Sequence, residues 1–306
     1  MTTTVVKLSF TAPVHFGNGR LSDAECAFSA DTLFSALFME ALAQGSQEGL
    51  LAAARDGGLL LSDAFPWVGD SYYLPKPYAV PAALRGEPEA RDSIAKKAFK
   101  KLRYLPRDAY GSFFDGTLDA VETLRVLNEG LGASGLAAKV DLRRGNGGDA
   151  EPYHVGGFRY REDAGLYFIA QGGYDLVPLL ESLRYSGLGG RRSAGYGRFE
   201  YELVVEAPDA VPATPQGCRV LLSSAAPTAG ELSDDLLQGA RYLLKKRAGF
   251  VQSGTYSAEP LKKRDFYVFA AGSAFGRTFV GDVFDVSAGG AHPVWRYAKA
   301  FWTGER

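Results

Sequence analysis

Twice along the chain an apolar run is cut off by Ala-Pro and followed by a segment of helical pattern. VVKLSF at 5–10 reads as a buried strand that stops at Ala12-Pro13, and CRVLLSSAAP at 218–227 repeats the device, stopping at Ala226-Pro227. Proline offers no amide to a ladder, so neither strand can continue through it. After the first stop, SADTLFSALFMEALAQG predicts a helix with Ser29 as N-cap, Asp31 complementing the dipole in the first turn, and Gly45 as terminator. Leu33, Leu37 and Ala41, beside Phe34, Phe38 and Leu42, make a stripe suited to packing on a sheet. After the second stop, SDDLLQGARYLLKKR predicts a helix capped by Ser233. Short strands are expected at 59–62 and 72–74 around a turn at FPWVGD, and again at DFYVFAAGSAF and FVGDVFDV. Strand, helix and paired strands in both halves predict an α+β fold of two ferredoxin-like (RRM-type) βαββαβ domains. The prolines of EAPDAVPATPQG mark a linker at 207–216, between an N-terminal domain at 1–206 and a C-terminal domain at 217–306.

With 306 residues, 46% of them hydrophobic and 12% aromatic, the chain has material for two cores. Its 34 Lys and Arg face 35 Asp and Glu, so a polyanion partner must be met by local concentrations of base rather than by net charge. Three stretches qualify. RDSIAKKAFKKLRYLPR at 91–107 is the densest. VDLRRGNGGDAEPYHVGGFRY at 140–160 places Arg143 and Arg144 before a turn, with Tyr167, Phe168 and Ile169 expected as the return strand of a long basic hairpin inserted in the first domain. YSGLGGRRSAGYGRFE at 185–200 is a glycine-rich loop without an acid before Glu200.

Glycine-rich loops cradle anions through free backbone amides, so the nucleotide motifs are the first comparison. A Walker A loop counted from Gly190 would need Gly195-Lys and has Gly195-Tyr196; dinucleotide fingerprints counted from Gly187 or Gly195 meet Arg192 or Glu200 where glycine is required. What remains suits an RNA backbone: amides, Arg191, Arg192 and Arg198 on phosphates, with Tyr196 for stacking. His15 is the one early histidine, and acid-base cleavage of RNA needs a pair of titrating groups; the sequence does not decide whether His15, His154 and His292 converge, and no convincing acid-base pair stands out. Two cysteines, Cys26 and Cys218, form no CxxC unit; no zinc framework, GxSxG elbow or other cofactor motif is found, and none is expected to be needed. The opening residues lack a signal-peptide pattern and no run of about 20 apolar residues occurs, so a reduced, cytoplasmic protein without a membrane partner is expected.

PVHFG at 13–17, SADTLFSAL at 29–37 and GLGGRRSAGYGRF at 187–199 together resemble the RAMP proteins of type III CRISPR effectors. KKLRYLP at 100–106, KRAGFVQS at 246–253, AGSAF at 271–275 and HPVWRY at 292–297 make the chain most similar to the family of the fourth subunit of the type III-A Csm complex. The resemblance implies a non-catalytic subunit that holds the 5′ repeat-derived handle of the crRNA and caps one end of the complex. It further implies docking to the large polymerase-like CRISPR subunit and to the backbone RAMP subunit of the Csm complex. By position, His15, Gly17 and Arg20 in the loop after the first strand are expected near RNA. So are Gly187, Gly189, Gly190, Arg191, Arg192, Ser193, Gly195, Tyr196 and Arg198, with Arg143 and Arg144 as a clamp. The rival expectation is a metal-independent endoribonuclease of CRISPR transcripts working through His15. Phe301 and Trp302 are expected at a subunit interface, because exposed aromatic residues at a chain end ordinarily dock on something.

Overall fold

The computed structural model describes residues 2–79, 93–141, 151–205 and 207–305. The N-terminal half runs β1 (Thr3–Phe10), β2 (Phe16–Asn18), β3 (Arg20–Glu25), α1 (Ala30–Gln44), α2 (Gln47–Arg55), β4 (Leu59–Leu61), β5 (Phe65–Val68) and β6 (Ser71–Pro75). It continues through α3 (Ser93–Lys101), β7 (Tyr104–Pro106), α4 (Tyr110–Asp115), α5 (Ala120–Leu131), β8 (Gly132–Asp141), β9 (Glu151–Tyr160), β10 (Ala164–Gly172), α6 (Val177–Ser186) and β11 (Phe199–Val205). The C-terminal half holds β12 (Ala213–Thr214), β13 (Arg219–Val220), α7 (Asp234–Leu237), β14 (Leu244–Arg247), β15 (Phe266–Phe269), β16 (Ala274–Phe275), β17 (Val283–Asp285), β18 (Trp295–Tyr297) and β19 (Gly304–Glu305). Among the described residues no helix is long and apolar enough to cross a membrane.

A seven-stranded antiparallel sheet orders β11-β1-β10-β5-β6-β7, with β4 lying end to end with β5 along β10. The path β1-α1-β4 followed later by β10-α6-β11 sets β1 and β10 side by side at its centre. On one face, Val6, Leu8, Leu166 and Phe168 meet Leu33, Phe34 and Leu37 of α1 and Leu180 and Leu183 of α6. On the other face, Val5, Phe65, Trp67, Tyr167 and Ile169 are covered by Ala98 of α3, Leu102 just after it, and Tyr110 and Phe113 of α4. Leu222 and Phe301 of the C-terminal half complete this cover. Burial on both faces explains why AGLYFIA reads as an unbroken apolar run instead of an alternation.

Several expectations are corrected. Tyr167, Phe168 and Ile169 belong to the central strand β10; the return strand of the hairpin is β9, in register with β8 from Gly132↔Tyr160 to Asp141↔Glu151. FPWVGD is a strand for four residues, since Phe65 and Trp67 are core, and turns only at Gly69-Asp70. SDDLLQGARYLLKKR is helical over Asp234–Leu237 alone: Ser233 accepts the Leu236 amide at 3.2 Å as expected, but Gly239, at φ 69°, follows, and Leu244–Arg247 is a strand against β15. A second βαββαβ unit needs two helices. Among the described residues after 217 there is one helical turn, so the C-terminal half is built from short paired strands instead. The proline-marked segment at 207–216 is packed rather than free, with Ala210 and Thr214 buried and β12 paired to β19. Phe301 is core, and the Trp302 ring stands edge-on to Phe275 and Phe279 while its Nε1 donates to the Phe279 carbonyl at 2.9 Å. The tail closes the fold and is not a free docking segment. Trp295–Tyr297, within HPVWRY, forms β18 and pairs with β17.

Two buried carboxylates join the halves. Asp63 accepts from the Ala30 amide at 2.8 Å and from the Ser224 amide and hydroxyl at 2.7 and 2.8 Å. Asp31 is the larger departure from expectation: instead of serving the helix dipole at the surface, it is 3% exposed and clamped between Arg247, at 2.9 Å, and Arg296. Burial alone would raise its carboxyl, but the two guanidinium groups and the Ser29 hydroxyl outweigh burial and hold it below the ordinary 3.8. For Asp63 burial wins over the three donors and the carboxyl is raised.

The two should differ under mutation and pH. Removing one member of a buried ion pair leaves its partners uncompensated, so Asp31→Asn is expected to cost about 3–5 kcal/mol in urea unfolding at pH 7. Asp63→Asn keeps an acceptor oxygen for the Ala30 and Ser224 amides, and its NH2 can donate to the Ser224 hydroxyl, which reverses that bond, so it should cost much less. Since the folded carboxyl of Asp31 is depressed, its contribution is fully present above the unfolded value of 3.8 and disappears as pH falls through the folded one. Asp63 runs the other way, its cost growing as pH rises through its raised value. Equal losses for the two variants would contradict this assignment.

Candidate nucleic-acid interface

Four segments meet at one end of the sheet. The chain leaving β1 bridges to β9, with the Val14 and Phe158 amides donating to each other's carbonyls at 2.8 and 2.9 Å. His15 follows, 7% exposed, its Nδ1 hydrogen-bonded to the Gly156 carbonyl at 2.7 Å. The β2–β3 hairpin lies on β9 so closely that a Cβ at Gly156 would stand 2.1 Å from the Ser22 carbonyl oxygen. Beneath His15 comes the glycine-rich loop. The Gly190 amide donates to the His15 carbonyl at 2.8 Å, a Cβ on Gly190 would stand 2.8 Å from the His15 ring, and one on Gly189 would meet the Phe16 ring at 2.9 Å.

The loop is held by its own backbone. Gly187 donates to Leu183, Leu188 to Gly197, Ala194 and Tyr196 to Arg191, Gly195 to Arg192, and Gly197 to Pro13. These amides donate to protein carbonyls and are therefore not open to phosphate. The arginine side chains are what the loop presents. Arg191 is the one non-glycine residue with positive φ (61°) among the described residues, and its guanidinium lies 5.4 Å from the Tyr153 ring centre on β9. Arg192 and Ser193 form a short 3-10 turn with Ala194, Ser193 being exposed. Tyr196 packs one edge against Gly157, whose Cβ would stand 3.2 Å from the ring, and Arg198 is exposed beside it in sequence. Among the described residues Arg20, Arg191, Arg192 and Arg198 make no ion pair.

His15 and the glycine-rich loop are therefore in direct contact, with Gly17 and Arg20, both exposed, on the β2–β3 hairpin beside them. Arg143 and Arg144 lie outside the described residues. The three histidines are engaged separately: His154 is exposed on β9, and His292 hydrogen-bonds the Ser253 hydroxyl through Nε2 at 2.9 Å and the Pro293 carbonyl through Nδ1 at 2.9 Å. Near β3, burial first and Glu25 second push the Cys26 thiol up to about 11, away from thiolate chemistry.

Comparison with known proteins is decisive at this point. The model of the CRISPR Csm4 C-terminal domain matches residues 215–304. The CRISPR-system protein Csm4 of Mycobacterium tuberculosis strain H37Rv is 42% identical over 288 residues, covering 93% of this chain and 92% of that protein. The chain belongs to the Csm4 family. Csm4 of Streptococcus thermophilus is 33% identical over 292 residues, with 93% of each chain covered. Among solved structures, a chain of the Csm3–Csm4 subcomplex of the type III-A interference complex aligns at TM-score 0.62 and 18% identity over the whole of both chains. A chain of the Csm1–Csm4 cassette with AMPPNP aligns at TM-score 0.60 and 24% identity, over 100% of this chain and 98% of that one. The fold described above is thus the Csm4 fold.

Sequence reading passed over Tyr153, Gly156 and Gly157 in this Csm4 site. The Gly-Gly pair in HVGGFRY was the available signal, because glycine inside a strand often marks close approach of another backbone. Two loop glycines separate the roles of conformation and space. A Cβ on Gly195 (φ 85°) meets nothing within 4 Å, whereas one on Gly197 (φ 79°) would stand 2.0 Å from the Leu188 carbonyl oxygen. Gly195→Ala should cost about 1–2 kcal/mol, the left-handed penalty alone. Gly197→Ala should cost distinctly more and displace the loop, read by chemical denaturation and by amide exchange at Leu188. Identical costs would mean the close approach does not constrain the loop.

Proposed function

We propose that this chain is a non-catalytic subunit of a type III-A CRISPR effector complex, holding the 5′ repeat-derived handle of the crRNA at the glycine-loop end and docking the large polymerase-like subunit and the backbone RAMP subunit. The observation that carries the reading is the convergence of Arg191, Arg192, Arg198 and Arg20, free of ion pairs among the described residues, on rigid loops at one end of the sheet. Membership of the Csm4 family supports it, as does likeness to chains from Csm1–Csm4 and Csm3–Csm4 assemblies.

We also read the N-terminal half as a ferredoxin-like unit, because β1-α1-β4 and β10-α6-β11 give the strand order β11-β1-β10-β4. An RRM commonly stacks bases on the open face of such a sheet. Here that face is closed: Phe65, Trp67 and Tyr167 are buried under α3, α4 and the C-terminal half. RNA is left the loop end, where guanidinium groups meet phosphates and the exposed side of Tyr196 or Tyr153 offers a stacking surface. Against cleavage stands His15, a buried ring tied to the Gly156 carbonyl without a second titrating group bonded to it.

Titrating fluorescent handle RNA at several salt concentrations tests the reading. Replacing Arg191 and Arg192 by alanine should weaken binding and flatten the log K against log salt slope by about 0.7 for each phosphate no longer neutralised. A slope and affinity untouched at every salt concentration would put the RNA elsewhere. Labelled repeat RNA incubated without metal should stay intact, and cleavage that disappears in His15→Ala would replace the non-catalytic reading by the endoribonuclease.

A further inference from the structure

Cations outnumber carboxylates around the first turn of α1. Arg247 and Arg296 share the Asp31 carboxylate, and the buried Nε of Arg296 has no hydrogen-bond partner. Lys263, whose amide donates to the carbonyl of Gly249, two residues after Arg247, at 2.9 Å, stands beside them, and burial and then Arg296 and Arg247 hold its amine below the ordinary value. Lys245, two residues before Arg247 and so on the same face of β14, is exposed and close enough to act on Asp63. Four cationic side chains, Arg247, Arg296, Lys245 and Lys263, thus lie around the two carboxylates Asp31 and Asp63. Excess like charge in a half-buried site is relieved by an anion, and the start of a helix favours one further.

This cluster adjoins the glycine loop. Phe16, whose ring lies under Gly189, stacks edge-on to Phe28 with ring centres 5.0 Å apart, and Phe28 directly precedes Ser29 and the first turn of α1. Three residues beyond Arg247 stands Phe250, 54% exposed, with the Lys262 ammonium 5.6 Å from its ring centre. A basic face interleaved with an exposed aromatic ring is the pattern that tracks single-stranded nucleic acid by charge and stacking.

We propose that Lys245 and Lys263, beside the Arg247–Asp31 pair, form a second phosphate-contact site for single-stranded RNA, continuing the path of the strand from the glycine loop across the start of α1 to Phe250. The proposal rests on the RNA-binding reading of the glycine loop. Arg247 is committed to Asp31 and orients the site, while Lys245, which makes no ion pair among the described residues, and Lys263 supply the mobile contacts.

The test uses the full chain and handle RNA. Lys245→Ala with Lys263→Ala should leave thermal unfolding unchanged, weaken binding several-fold at low salt, and lower the salt slope by about 1.4, that is about 0.7 per phosphate. Lys245→Arg with Lys263→Arg should restore both. If the double variant unfolds, Lys245→Ala alone carries the test with a slope change of about 0.7. A wild-type slope in the lysine variants, alongside a flattened slope in the Arg191 and Arg192 variant, overturns the second site and leaves the first standing. Absence of handle binding by the wild-type chain overturns both. Failure to co-purify a CRISPR subunit, with an unchanged RNA slope, would assign the cluster to a protein surface and likewise overturn the proposal.

Discussion

The Asp31 carboxylate fixes how the two halves of the molecule meet. It sits in the first turn of α1, while both of its arginine partners belong to the C-terminal half, Arg247 on β14 and Arg296 on β18. A buried charge of this kind adds little net stability over an apolar substitute but is severe when half of it is removed, so it acts as a register device. Asp63 pins Ser224 and the Ala30 amide a short step away, and the Leu61 amide donates to the Tyr297 hydroxyl at 2.8 Å. With the start of α1 held from both sides, Phe28 and through it Phe16 are held too, and Phe16 is the floor on which Gly189 rests. The position of the glycine loop therefore depends on a junction between halves that lies at the opposite side of Phe28.

Covering both faces of the sheet has a functional consequence. Aromatic residues that could stack bases on an open sheet are consumed by packing: Tyr167 donates its hydroxyl to the Tyr73 carbonyl at 2.8 Å, and Trp67 donates its indole to the Leu8 carbonyl at 3.2 Å. On the proposed reading, RNA binding is displaced to the rim, where side chains extend from loops and where a near-neutral chain can still present local positive charge. A formal net charge of -1, with arginines that make no ion pair among the described residues gathered at one end, favours a short stretch of a polyanion over indiscriminate coating of one.

How much is legible in the sequence varies with the physics of each element. β1 and α1 are legible because their signals are local: an apolar run stopped by proline, a helical stripe between Ser29 and Gly45. The glycine loop is legible as a loop, but its contact with His15 follows from neither spacing nor composition, since Gly189 lies 174 positions after His15. The hairpin misleads because the stronger apolar run, β10, competes with the weaker β9 for the role of return strand, and burial on two faces is invisible in a one-dimensional pattern. YLLKKR misleads for a related reason: Leu, Lys and Arg are good helix formers, and pairing with β15 overrides that propensity. Asp31 shows the same limit at one residue. An acid in a first turn has a local explanation, and only the tertiary arrangement brings two arginines to it.

The glycine loop itself is best understood as a rigid mount. Internal hydrogen bonds from seven of its amides, counting Gly190 to His15, leave little freedom to the backbone. Arg191 is held at φ 61°, where a side chain costs about 1–2 kcal/mol, and the neighbouring Tyr153 ring accepts its guanidinium. A flexible loop with the same charges would lose about 0.5–1.5 kcal/mol per side chain ordered on binding, and more for the backbone. Here the backbone cost is met during folding, so on the proposed RNA-binding reading the guanidinium groups are already positioned for a phosphate. On that argument the glycines act on affinity through the placement of Arg191 and Arg192, and the amides they free from steric crowding serve the loop rather than the ligand.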